Sequence, residues 1–145
     1  MRWISSIAAV AFTAGLAFSQ DLVVKGDVAS PVTLKAEELA SMPREKVGEF
    51  EGVLLREVLK KAGAPLDGQL RKNALTTYLL AQAKDGYQVV FSLGELDASM
   101  GNEKVLVADK QHGNAIPLRV VCADDKVGAR SVKMLETLEV VRLKK

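Results

Sequence analysis

One cysteine and one histidine leave this chain little room for metal or disulfide chemistry. Cys122 has no partner for an internal disulfide, and with His112 as the sole imidazole a closed structural zinc site is not available. The thiol lies in the apolar run LRVVCA with no basic residue beside it, which favours a buried, inert side chain over a reactive thiol or a metal ligand. A hydrolytic triad would need His112 as its base, and no GxSxG elbow presents a serine, so no catalytic pair stands out. Tryptophan occurs once, at Trp3, and from Gln20 onward the aromatics are Phe50, Tyr78, Tyr87 and Phe91 alone. A core made from that stretch must be aliphatic. An excess of one charge is also missing, since 20 basic residues face 18 acidic ones for a net +2. So even a balance gives no long-range field; it excludes nucleic acid or an anionic membrane surface as a general partner and requires any anion site to be local.

The first nineteen residues, MRWISSIAAVAFTAGLAFS, are the most apolar stretch. Arg2 precedes a run from Ile7 to Phe18 ending in Ala17-Phe18-Ser19, the pattern of a signal peptide cut before Gln20. A retained anchor would need about twenty apolar residues, and this shorter run is interrupted by Thr13 and Gly15. The expectation is an exported protein, periplasmic or secreted, with no membrane span after cleavage. Residues 20–145 then suffice for one domain with a real core and are too few for two.

No repeat or low-complexity linker divides that stretch. DLVVKGDV predicts a strand ending at Gly26, and VTL leads into a short helix, KAEELASM, which buries Leu39 and is stopped at Met42-Pro43. REKVGEFEG alternates like a single edge strand. In VLLREVLKKAGAP, Leu55, Val58, Leu59 and Ala62 follow helical spacing, with Gly63 placed as a C-terminal cap and Pro65 barring continuation. Residues 74–91 predict a hairpin that reverses at Lys84-Asp85-Gly86 through a type I′ turn. In SLGELD, Ser92 can cap a short helix through Glu95. VLVAD, PLRVVCA and LEVVRL complete the strands. Strands outnumber short helices without a regular βαβ alternation, which defines an α+β domain on a mixed or antiparallel sheet.

The acidic pairs Glu37/Glu38, Glu49/Glu51 and Asp124/Asp125 read as solvated charge, the last in a polar turn with Lys126. GARSVKML, residues 128–135, is the sharper candidate. Gly128 permits close backbone approach, and a helical turn from Ala129 would offer free N–H groups to an anion. On that turn Arg130 and Lys133 are i, i+3 neighbours, a guanidinium fork and a point charge suited to phosphate, while Val132 and Leu135 turn inward. The same spacing also describes a solvated helix face.

Taken in order, EGVLLREVLKKAGAP, AKDGYQVVFSLGELD, HG…PLRVV and GARSVKML…LEV resemble the oxidoreductase molybdopterin-binding domain of the sulfite oxidase family over about residues 22–141. The resemblance implies a molybdenum cofactor held through its pterin and phosphate, and a cysteine thiolate on the metal. It places Gly128, Arg130, Ser131 and Lys133 at the cofactor, together with His112 and Arg119 from the His-Gly…Pro-x-Arg segment. Two departures accompany it. HGNAIPLR has extra residues between Gly113 and Pro117, and no cysteine precedes the Gly52-Val53-Leu54-Leu55 segment where the family carries its metal ligand. Cys122 follows Arg119, in a different place in the order.

Three functions remain open on this reading. One is a reduced domain that binds an anionic, pterin- or phosphate-bearing ligand or a partner protein without its own redox catalysis. Another is a molybdenum oxidoreductase, or a subunit whose partner completes the metal site. The third is a structural or adaptor module with no ligand.

Overall fold

Thr77 to Ala83 buries every second residue, the period of a strand that carries one face into a core. The computed structural model describes residues 20–144, so the expected signal peptide lies outside the described residues. In chain order the elements are β1 (Leu22–Gly26), β2 (Val32–Leu34), α1 (Ala36–Ser41), β3 (Glu45–Val47), β4 (Phe50–Leu54), α2 (Leu55–Lys61), β5 (Thr77–Ala83), β6 (Gln88–Ser92), α3 (Leu93–Leu96), β7 (Val105–Gln111), β8 (Asn114–Cys122) and β9 (Leu135–Arg142). Turns of 3-10 helix occur at Lys72–Thr76 and Gly128–Arg130.

The strands form two sheets, one of five in the order β2-β1-β9-β5-β6 and one of four in the order β3-β4-β7-β8. Only β1 and β9 run parallel, so the larger sheet is mixed, as an α+β fold requires here. Leu79, Ala81, Leu138 and Val140 of one sheet share a core with Val53, Val107 and Val120 of the other. Leu55, Val58 and Leu59 of α2 enter the same core. Aliphatic side chains dominate it, and truncating one such as Leu79 to alanine should destabilise the fold by about 2–5 kcal/mol. The alternate residues of β7, Leu106 and Ala108, join Val121 and Phe50 in a smaller cluster. The four-stranded sheet is therefore apolar on both faces around its inner strand β7.

The expected α2 helix forms but begins at Leu55, because Val53 and Leu54 pair with β7 as strand. Gly63 follows the C-cap with φ +75°, a conformation glycine adopts without a Cβ penalty. The Ser92–Glu95 capping box is present. Three expectations change. VTL is a strand, β2, paired with β1 before the helix starts. REKVGEFEG is two strands, since Gly48 at φ +56° reverses the chain and lets Val47 pair with Phe50. The β5–β6 connection is not type I′, because Gly86 alone adopts positive φ there and Ala83 bonds across to both Gly86 and Tyr87. The tight reversal occurs at β7–β8 instead, where His112 (φ +50°) and Gly113 (φ +77°) are the two residues between the paired Gln111 and Asn114.

Candidate anion site

The GARSVKML segment links the ends of the two sheets. Gly128–Arg130 makes a 3-10 turn that closes at Ser131, and the chain then runs extended, with Lys133 bridged antiparallel to Arg119 of β8. The expected helical turn carrying Arg130 and Lys133 on one face is therefore corrected: it ends one residue after Arg130. Val132 and Leu135 turn into the core as expected. Gly128 is not demanded by geometry, since its φ is ordinary and an added Cβ would meet only Ser131 Cβ at 4.0 Å.

Arg130 is committed to protein partners. Its Nε and Nη2 donate to the two oxygens of Asp125 at 2.9 and 2.8 Å, and its Nη1 donates to Glu95 at 3.1 Å. Glu103 lies 3.5 Å from Nη2, and the guanidinium covers the Phe91 ring at 4.9 Å from its centroid. Three carboxylates around one cation leave the cluster net negative, which repels a phosphate. The Asp125 hydrogen bonds raise the pKa of Arg130, and the same pairing holds the Asp125 carboxyl below the usual range. Arg130 is thus a clamp joining α3, the loop before β7 and the 125–130 turn.

Arg119 has the opposite surroundings. Its Nε donates to the Ser131 hydroxyl at 2.9 Å, and that hydroxyl donates to the Val120 carbonyl at 2.9 Å. The guanidinium covers Phe50 at 5.1 Å, while among the described residues no carboxylate pairs with it or with Lys133. Gln111, Ile116, Pro117 and Met134 close a concavity of about 240 Å³ around these two cations. Met134 and Pro117 also border an adjoining hollow of about 520 Å³ that reaches Lys84 and Gln20. Met134 holds φ +54°, a strained conformation for so bulky a residue, at the junction of the two hollows. Nothing in the sequence signals that strain.

His112 does not join this concavity. It is the tip of the β7–β8 turn, its ring pairs with Glu49, and the turn lies four strand positions from Ala108, the partner of Arg119, or about 13 Å. Cys122 is three residues from Arg119 on one strand, so the two side chains leave opposite faces. The thiol packs against the main core, and burial, with a smaller contribution from the Asp125 charge, pushes its pKa up to about 12. It remains a protonated thiol at neutral pH, as its apolar setting predicts. Among the described residues no group of three or more His, Cys, Asp or Glu side chains could hold a metal ion.

These features define a two-sheet α+β domain that presents two unpaired cations in a hollow at the sheet junction. The chain belongs to the molybdopterin-binding domain family of sulfite oxidase type, with residues 44–145 matching the Oxidoreductase molybdopterin binding domain. No curated protein matches the chain. Among solved structures it is similar to the sulfane dehydrogenase SoxCD from Paracoccus pantotrophus, with a TM-score of 0.63 and 18% identity over 83% of this chain. The match spans 38% of that chain, so this protein covers well under half its length.

The family's cofactor can be tested against the residues present. Its phosphate-bearing tail fits Arg119 and Lys133, two cations that line one hollow, with the Ser131 hydroxyl holding the Arg119 guanidinium in place. Its metal does not fit, because the single thiol faces away from the hollow and the one sulfur that lines it, the Met134 thioether, is not the thiolate the family's metal takes.

Proposed function

We propose that this chain is an exported molybdopterin-domain protein that holds an anionic, phosphate-bearing ligand, a pterin phosphate being the first candidate, without redox catalysis of its own. The observation that carries the proposal is the pairing of Arg119 with Lys133 across a β-bridge, free of carboxylates. Both cations can point their remaining N–H groups at one oxyanion, a bidentate fork beside a point charge. The broader hollow past Met134 and Pro117 has room for the organic part of such a ligand.

Titration with inorganic phosphate and with a pterin phosphate, read by calorimetry, tests the site. Saturable binding that weakens at least about tenfold in Arg119→Met supports it. Absence of binding of either probe, or binding unchanged in that variant, overturns it and leaves the structural or adaptor reading. Protein sequencing of the mature N-terminus tests export, with a start at Gln20 as the expected result.

A second reading follows from family membership and from the share of the sulfane dehydrogenase chain that is matched. In it, a partner subunit supplies the missing metal ligand and the pair is an oxidoreductase. Molybdenum co-purifying from a cofactor-producing host would favour this reading over the first.

A further inference from the structure

The five-stranded sheet has a second hollow at its other end. In the β5–β9 ladder, Leu79 faces Val140 and Ala81 faces Leu138, and these pairs carry the core. The next rung in that register is Thr77 opposite Arg142, so both side chains leave on the core-facing side where the core ends. Thr77 is 2% exposed, and its hydroxyl is, among the described residues, the one buried side-chain polar atom with no hydrogen-bond partner. A buried hydroxyl without a partner is costly, and native structures usually satisfy it with protein, water or ligand.

Thr77 and Arg142 line a cavity of about 360 Å³ with Asp27, Gln69, Ala29 and Pro65. Asp27 is held at its position by its backbone N–H, which donates to Val140 at 2.7 Å. Neither Arg142 nor Asp27 has an ion-pair partner among the described residues. The lining therefore offers an exposed cation and an exposed anion, each without an ion-pair partner, beside a buried hydroxyl in need of a hydrogen-bond partner. The cavity also stands apart from the anion site. β9 separates Leu135, next to Met134, from Arg142 by seven positions, or about 23 Å.

We infer that this cavity binds a small zwitterion of the amino-acid class, its carboxylate on Arg142 and its ammonium on Asp27, with Thr77 and Gln69 completing the polar contacts. A ligand bearing either charge alone would leave the opposite group of the cavity without a counter-charge, which is the basis of discrimination.

Glycine is the probe, with acetate and methylammonium as single-charge controls, added to the intact protein and followed by backbone amide NMR shifts. The expected result is saturable movement of the Asp27, Thr77 and Arg142 amides with glycine in the millimolar range, and at least about tenfold weaker binding of either control. Arg142→Gln, at an exposed position, should weaken glycine by a similar factor. Thr77→Val removes the unpartnered hydroxyl at nearly constant volume, so it should raise the melting temperature without ligand while weakening glycine. No saturation with glycine, equal binding of a control, or Thr77→Val binding glycine as the parent does would each overturn the inference. Loss of phosphate binding in Arg119→Met leaves these outcomes unchanged, so the two sites fail or stand separately.

Discussion

Arg130 and Arg119 are alike in their packing and opposite in their electrostatics. Each lays its guanidinium over a phenylalanine ring, Phe91 for the first and Phe50 for the second. Arg130 then spends its donors on Asp125 and Glu95, with Glu103 beside them, whereas Arg119 gives one donor to Ser131 and pairs with no acid. The difference teaches that a cation in a ligand-binding motif is a ligand group only when its own protein has not already neutralised it. By that criterion the GARSVKML motif contributes Lys133 to the anion site, Ser131 orients Arg119 beside it, and the motif's own arginine holds the motif in place.

The largest effect that could break this contrast is on stability. Arg130→Met should destabilise the protein by about 2 kcal/mol, below the 3–5 kcal/mol of a fully buried pair because the cluster is partly solvated, and urea denaturation measures it. Three acids lose their shared counter-charge in that variant. Phosphate affinity should stay within about twofold of the parent. A collapse of binding with stability intact would exchange the roles assigned to the two arginines.

Arg119→Met should do the reverse. With no acid left unpaired, the loss in stability is about 1 kcal/mol from one hydrogen bond, while phosphate affinity falls at least about tenfold. Lys133→Ala should weaken phosphate less, by a few fold, as expected for a flexible, exposed point charge beside a fixed fork. A paired denaturation and calorimetry series on the three variants sorts each cation by which quantity moves.

Much of the architecture was legible in sequence, because periodic patterns report burial directly. Leu55, Val58 and Leu59, the Gly63 cap and the Ser92–Glu95 box all follow from local rules and form as expected. Signals that reverse the chain within two residues were harder to place. Gly48 divided a stretch that alternates like one strand, and the two-residue reversal settled on His112-Gly113, where two consecutive residues of positive φ lie between the paired Gln111 and Asn114. The arginine contrast was not legible at all. Glu95 lies 35 residues from Arg130, and no spacing rule connects them. Spacing placed Lys133 beside Arg130, whereas the fold bridges Lys133 to Arg119.

A smaller effect sharpens the contrast through pH. Hydrogen bonding to Arg130 holds the Asp125 carboxyl below its ordinary value, so this pair contributes stability above about pH 4 and loses it as pH falls through the lower folded value. Acid titration of the urea midpoint should therefore be shallower in Asp125→Asn than in the parent. A residual slope should persist from Asp97. Burial opposes its charge, but hydrogen bonds from Ser99 and the Asp67 amide outweigh that and lower its pKa. No comparable acid-linked loss attaches to Arg119, which has no carboxylate partner among the described residues. An Asp125→Asn slope equal to the parent's would mean that the clamp contributes nothing to folding.

The smallest expected effect concerns His112, which the family resemblance places at the cofactor and the fold places at a hairpin tip about 13 Å along the sheet from Arg119. His112→Asn keeps a residue that tolerates positive φ and creates Asn-Gly, a favoured pair for this turn. It removes the ring's contact with Glu49, but that contact is largely exposed and worth little. Stability should therefore change by less than about 0.5 kcal/mol in either direction. Phosphate affinity should not change, since His112 is not among the residues that line the hollow around Arg119 and Lys133. If His112→Asn instead weakened phosphate as much as Arg119→Met does, the ligand would have to extend along β8 to the hairpin tip. Arg119 would then be one end of a longer site, and its contrast with Arg130 would concern only the phosphate end of the ligand.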